Sequence, residues 1–153
     1  MNDGTIVLRP VAAGDRTAWS ELWTAYLAFY GTSRPPEVHD MAFAQLMSDD
    51  PASFGGLIAW SQEVAVGLAH WVWHPHMWRP EGIVYLQDLF TAPEARGRGI
   101  ARKLIEAVYA DADARGCPGV YWLTQKGNDT ARRLYDRIGV TSDFIRYDRP
   151  IAA

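Results

Sequence analysis

The stretch Pro93-Glu94-Ala95-Arg96-Gly97-Arg98-Gly99-Ile100-Ala101-Arg102-Lys103-Leu104 sets glycines and arginines where an amphipathic helix should begin. Gly97 and Gly99 lack a Cβ, so an anion can approach the backbone closely. The leading N–H groups of the helix, its dipole and Arg96 or Arg98 add positive potential. Phosphate is the natural guest. Two familiar phosphate loops are excluded by spelling: the dinucleotide pattern needs a third glycine, and Gly97-Arg98-Gly99-Ile100-Ala101 is followed by Arg102. The Walker loop needs Gly-Lys followed by Ser or Thr. An arginine-glycine RNA-binding tract is also a poor fit, because the motif is a single short copy leading into a helix. Standing alone, the same residues would serve as a glycine-softened turn with solvated arginines.

A second stretch, His70 to Trp78, reads "HWVWHPHMW". Its histidines could share a strand face, but Pro75 interrupts the geometry and no acidic or cysteine ligand is interspersed, so no metal is expected. Trp71 and Trp73 read as core or pocket wall, with His74 to Trp78 as a loop over a substrate entrance. Tyr26, Phe29 and Tyr30 close the first predicted helix, where aromatic faces suit a cation or an aryl amine, or simply pack. Glu37 and Asp40 could draw an ammonium group or be solvated. Cys117 has no histidine nearby in sequence to activate it and is not assigned as a nucleophile.

Several elements must position these residues. Thr5–Val11 alternates as a first strand, Asp15 offers a helix cap, and apolar spacing from Ala18 to Tyr30 and from Val38 to Met47 predicts two helices. Phe54–Trp60 and Glu63–Trp73 read as a hairpin joined across Ser61-Gln62, with a third strand over Gly82–Thr91. A helix over Ile100–Arg115, a short strand at Val120–Thr124, a helix over Asp129–Ile138 and a closing strand at Phe144–Ile151 complete the order β-α-α-β-β-β-α-β-α-β. That order predicts an α/β (α+β) fold with a mixed, mostly antiparallel sheet and helices on both faces.

The chain of 153 residues, 48% hydrophobic, fits a single domain spanning 1–153. Its one cysteine cannot form an internal disulfide, and no charged n-region with an apolar h-region opens the sequence, so a cytoplasmic protein is expected. No apolar run approaches the roughly 20 residues of a membrane span. A net charge of -3 does not favour nucleic acid.

The spelling Arg96-x-x-Gly99-x-Ala101, after "YLQDLFTAP" and before an apolar helix, resembles the acyl-CoA pyrophosphate loop of the GNAT superfamily of N-acetyltransferases. Downstream, "VYWLTQKGNDTARRLYDRIGV" is similar to the second half of that core. Within the superfamily the likeness is closest to diamine, polyamine and small histone-type acetyltransferases, and most specific from Tyr85 to Val140. It implies acetyl-CoA as co-substrate and direct attack by an amine. The backbone of Leu89, Phe90 and Thr91 would pair with the pantetheine arm. The N–H groups from Arg96 through Gly97, Arg98, Gly99 and Ile100 to Ala101 would hold the pyrophosphate, and Asn128 the thioester end. Tyr135 matches the tyrosine that protonates the departing thiolate; by periodicity alone, with Ala131, Leu134 and Ile138, it would be a core tyrosine.

The resemblance places the acceptor pocket at Tyr26, Phe29, Tyr30 and Gln87. It departs from the polyamine-type pattern in Tyr85-Leu86-Gln87-Asp88, where Gln87 stands in place of a glutamate. An amide accepts no amine proton. The base is left among Asp88, a water relay past Gln87, or a histidine such as His74, and successive strand residues face opposite ways unless a bulge intervenes. The expected partners are a small-molecule amine or a protein lysine, and a second copy of the chain as a homodimer. The alternative is an acyl-CoA-sensing module without turnover.

Overall fold

The computed structural model describes residues 4–50 and 53–151. In chain order it contains β1 (Ile6–Pro10), α1 (Arg16–Phe29), α2 (Pro36–Leu46), β2 (Phe54–Ser61), β3 (Val64–His76), β4 (Arg79–Thr91), α3 (Ile100–Ala114), β5 (Val120–Tyr121) and α4 (Asp129–Ile138). The chain falls into two compact units, one up to Leu123 and one from Thr124 onward. The first carries the sheet and three helices. The second carries α4.

The sheet runs β1-β2-β3-β4-β5, antiparallel through β4 and parallel only between β4 and β5. A mixed, mostly antiparallel sheet is therefore what forms. On one face, Trp19, Leu22, Trp23 and Leu27 of α1 pack against Ile58, Leu68 and Phe90. Their spacing of three and four residues puts them on a single helix face. On the other face α3 buries Ile100, Leu104, Ile105 and Val108. It sits close because Gly67 has no side chain: a Cβ there would lie 2.9 Å from Ile100 Cγ2.

Four local expectations change. Asp15 does not cap α1; its carboxylate accepts from the Ala12 N–H at 2.8 Å across a short 3-10 turn at Ala13–Asp15. The β2–β3 turn is Gln62-Glu63, both with positive φ (49° and 67°), the conformation that a tight two-residue hairpin demands even of non-glycines. His74–Trp78 is not a loop: β3 continues to His76, which pairs with Arg79, and only Met77-Trp78 turns. Cross-strand pairing extends the ladder beyond the apolar run, and Trp73 Nε1 fastens it by donating to the Glu81 carbonyl at 2.9 Å. Finally, Phe144–Ile151 forms no strand, and Phe144, Ile145, Tyr147 and Ile151 are exposed. Alternation makes a segment fit to be a strand, but pairing needs an edge.

Candidate active site

β4 supplies two different surfaces. β5 pairs with it only at Val84 and Tyr85, so along Leu86–Thr91 no strand among the described residues covers that edge. Its backbone amides there are available to a ligand. Phe90 turns its ring into the core, and Thr91 ends the strand with a buried Oγ1 that has no hydrogen-bond partner among the described residues.

The glycine turn follows directly. Gly97 and Gly99 have φ of 81° and 73°, and a Cβ built on either meets, beyond its chain neighbours, no atom of the described residues within 4 Å. The left-handed backbone and the open space together form a cradle that a side chain would fill. Gly99 caps α3: its carbonyl accepts from the Lys103 N–H at 3.1 Å, and the N–H groups of Ile100, Ala101 and Arg102 before it have no intrahelical acceptor. Ala101 lies half-buried in that turn, while the Ile100 side chain is buried beneath it.

The arginines divide their work. The Arg96 N–H turns back to the Pro93 carbonyl at 3.4 Å, and its guanidinium lies 5.6 Å from the centre of the Phe29 ring. Arg98 faces away from the cradle: its Nη2 donates to the Gly4 carbonyl at 2.6 Å and its Nη1 to Ser61 Oγ at 3.3 Å. Its side chain is a strut between the turn and the opposite edge of the sheet.

Beside β4 lies a cavity of ≈ 290 Å³ between α1, α2 and strands β2 to β4. Trp23, Leu27, Met41, Phe54 and Trp71 give it apolar walls, and Gln87 and Asp88 both reach it. Two successive strand residues share the cavity because β4 is bulged. Opposite His70 stands Asp88, but opposite Trp71 stands Leu86, leaving Gln87 as the extra residue. Trp71 itself covers Gly55, where a Cβ would overlap the indole.

Asp88 is buried and heavily bonded. Its Oδ2 accepts from His70 Nδ1 at 2.8 Å and from Trp23 Nε1 at 3.2 Å, and the Tyr26 hydroxyl donates to the same carboxylate. The tautomer of His70 follows from its other neighbour. Trp19 Nε1–H can only donate, and it donates to His70 Nε2 at 2.8 Å, so the ring proton sits on Nδ1 facing Asp88. Burial, and then the negative charge of Asp88, push the Tyr26 phenol well above its ordinary value, so it stays protonated and donates.

Of the predicted pocket residues, Gln87 lines the cavity and Tyr26 reaches its carboxylate. Phe29 and Tyr30 do not line it. They stand on the exposed side of α1, Tyr30 5.2 Å from the Tyr26 ring and Phe29 beneath Arg96. The helix presents Trp23 and Leu27, one turn apart, to the cavity instead. Sequence reasoning singled out neither Trp19, Trp23 nor Arg34, and weighed His70 only as a metal ligand. Their signal was hidden because His70 and Asp88 meet across strands, 18 positions apart. His74 lies elsewhere, its Nε2 3.0 Å from the Tyr121 hydroxyl. Cys117 is buried, and burial pushes its thiol up, which keeps it protonated.

In the second unit Asn128 caps α4, with Oδ1 accepting from the Ala131 N–H at 3.4 Å and Nδ2 3.4 Å from Thr124 Oγ1. Tyr135 sits half-buried on that helix. Among the described residues no cluster of His, Cys, Asp or Glu is able to hold a metal, and no helix is long and apolar enough to cross a membrane.

Residues 17–140 match the family model described as "Acetyltransferase (GNAT) family". The D-amino-acid N-acetyltransferase HPA3 of Saccharomyces cerevisiae is 38% identical over 151 residues, covering 97% of this chain and 93% of that one. Among solved structures, aminoglycoside N-acetyltransferase AAC(6')-Iy in complex with CoA superposes with a TM-score of 0.80 at 22% identity, over 98% of each chain. A ribosomal-protein-alanine N-acetyltransferase from Brucella melitensis biovar Abortus 2308 gives 0.76 at 20%, over 96% of this chain and all of that one. At these identities the two structures attest the fold.

Proposed function

Since the chain belongs to the GNAT family of acetyl-CoA-dependent N-acetyltransferases, we propose that it acetylates the amino group of a free amino acid held in the cavity beside β4. The bulge at Gln87 carries this reading, because it turns a buried carboxylate into the cavity next to the uncovered strand edge. D-amino acids are the acceptor class named for the yeast relative. The cavity, at the small end of ligand pockets of about 300–1,000 Å³, suits a molecule of that size.

Acetyl-CoA fits what the first unit offers. The Leu89–Thr91 edge would pair with the amides of its arm, and the turn from Gly97 through Ala101 would take its pyrophosphate, with the Arg96 side chain nearby. When bound, it supplies an acetyl group already activated as a thioester. Asp88 takes the proton that the ammonium must lose before attack, and His70, locked by Trp19, positions the carboxylate. Gln87 orients the acceptor through its amide. By family resemblance Asn128 would steady the thioester end and Tyr135 would protonate the thiolate, since a phenol stays protonated at neutral pH.

CoA release against D- and L-amino acids, a polyamine, an aminoglycoside and a lysine peptide tests the assignment. Fastest turnover with a free amino acid supports it. Preference for the peptide or the polyamine would overturn the acceptor class. Tyr135→Phe should lower kcat and leave acetyl-CoA affinity unchanged; unaltered turnover would make Tyr135 packing only.

A further inference from the structure

Among the described residues lining the cavity only two carry a formal charge, and they are opposite in sign: Asp88 and Arg34. With His70 neutral in its tautomer, the remaining lining is apolar, aromatic or amide. A zwitterion is the guest complementary to such a cavity. We propose that Arg34 is the carboxylate receptor of the acceptor site, and that the substrate class is an α-amino acid with an apolar side chain.

The guanidinium is prepared for this. Arg34 stands in the connection between α1 and α2, and its Nη1 donates to Thr32 Oγ1 at 2.8 Å and to the Ser33 carbonyl at 2.7 Å. Those two bonds orient the side chain while leaving Nε and Nη2, the edge that receives a carboxylate in a bidentate fork. Arg34 joins none of the ion pairs among the described residues. An ammonium directed at Asp88 and a carboxylate directed at Arg34 leave the side chain to the apolar walls, Trp23, Phe54 and Trp71 among them. A polyamine would instead bring a second positive charge to Arg34 or to those walls, and would be disfavoured for both reasons.

The inference rests on reading this cavity as the acceptor site, so its test separates the two. Steady-state kinetics with saturating acetyl-CoA compare D- and L-phenylalanine with phenylalaninamide and phenethylamine, in the native enzyme, Arg34→Gln and Arg34→Lys. Arg34→Gln should raise KM for phenylalanine about 10- to 100-fold, and far more than for the two acceptors lacking a carboxylate. Arg34→Lys should recover part of the loss, and thermal melting should stay within a few degrees. An unchanged KM for phenylalanine, or an equal rise for all acceptors, overturns the role of Arg34 while acetyl transfer stands. If none of these acceptors is acetylated, calorimetry of phenylalanine binding to the CoA-saturated protein decides. Binding lost in Arg34→Gln keeps the receptor although the acetylation reading fails, and binding that is absent or indifferent to Arg34 removes it.

Discussion

Asp88 accepts from an imidazole, an indole and a phenol at once, which fixes its carboxylate against the cavity rather than leaving it free to rotate. On the proposed reading, this fixed carboxylate is the group that receives the proton of the docked ammonium. Asp88→Asn keeps the shape and removes the charge. It should lower kcat/KM by about 10²- to 10⁴-fold while acetyl-CoA affinity, read by calorimetry, holds. Activity at the native level would reduce Asp88 to a structural anchor. Tyr26 makes a second prediction at this scale. Its folded-state phenol is raised above the ordinary 10.0, so the native protein keeps a proton that the unfolded chain releases above about pH 10. That contribution is intact below pH 10 and is lost as pH climbs through the raised value. Tyr26→Phe should therefore lose stability less steeply than the native protein between about pH 10 and about pH 11 in urea unfolding. Parallel slopes would show that the phenol is not shielded.

Among the elements, β4 does most to assemble the proposed site: its bulge faces the cavity, its uncovered edge suits an extended amide chain, and its end leads into the glycine turn. The turn has the shape of a cradle because two glycines hold a left-handed backbone beside open space. Gly99→Val places a branched side chain in that space. Acetyl-CoA affinity measured by calorimetry should fall at least about tenfold, with a stability cost of about 1–2 kcal/mol from the positive φ. Unchanged affinity would remove the turn from the co-substrate site. The existence of this turn was legible in the sequence, since glycine at such spacing before an apolar helix has few other uses. The bulge was not. Gln87-Asp88 reads as ordinary alternation, and only the register against His70 and Trp71 shows which residue is extra.

Across the whole first unit, Arg98 ties the turn to Gly4, 94 positions away, and to Ser61. Its sequence setting suggests a phosphate ligand, and its partners make it a strut. Arg98→Ala should cost about 1–2 kcal/mol and lower Tm by about 2–8 °C, leaving acetyl-CoA affinity within about threefold. The reverse pattern, weak acetyl-CoA binding with an unchanged Tm, would restore the phosphate role.

By itself the sequence determined the helices, the strands of the hairpin region, the mixed sheet and the anion turn, because periodicity and glycine placement act within a few neighbouring residues. Spelling around Arg96 and Gly99 carried the family and its co-substrate as well. Tertiary structure alone decided which residues face one another across the cavity. Trp19, His70 and Asp88 form one hydrogen-bonded line from three separate elements, and Trp23 and Leu27 displaced Phe29 and Tyr30 from the pocket by the rotation of one helix. It likewise withheld a strand from Phe144–Ile151. Each of these depends on strand register or helix orientation, and both are settled only when distant segments compete to bury the same apolar surface.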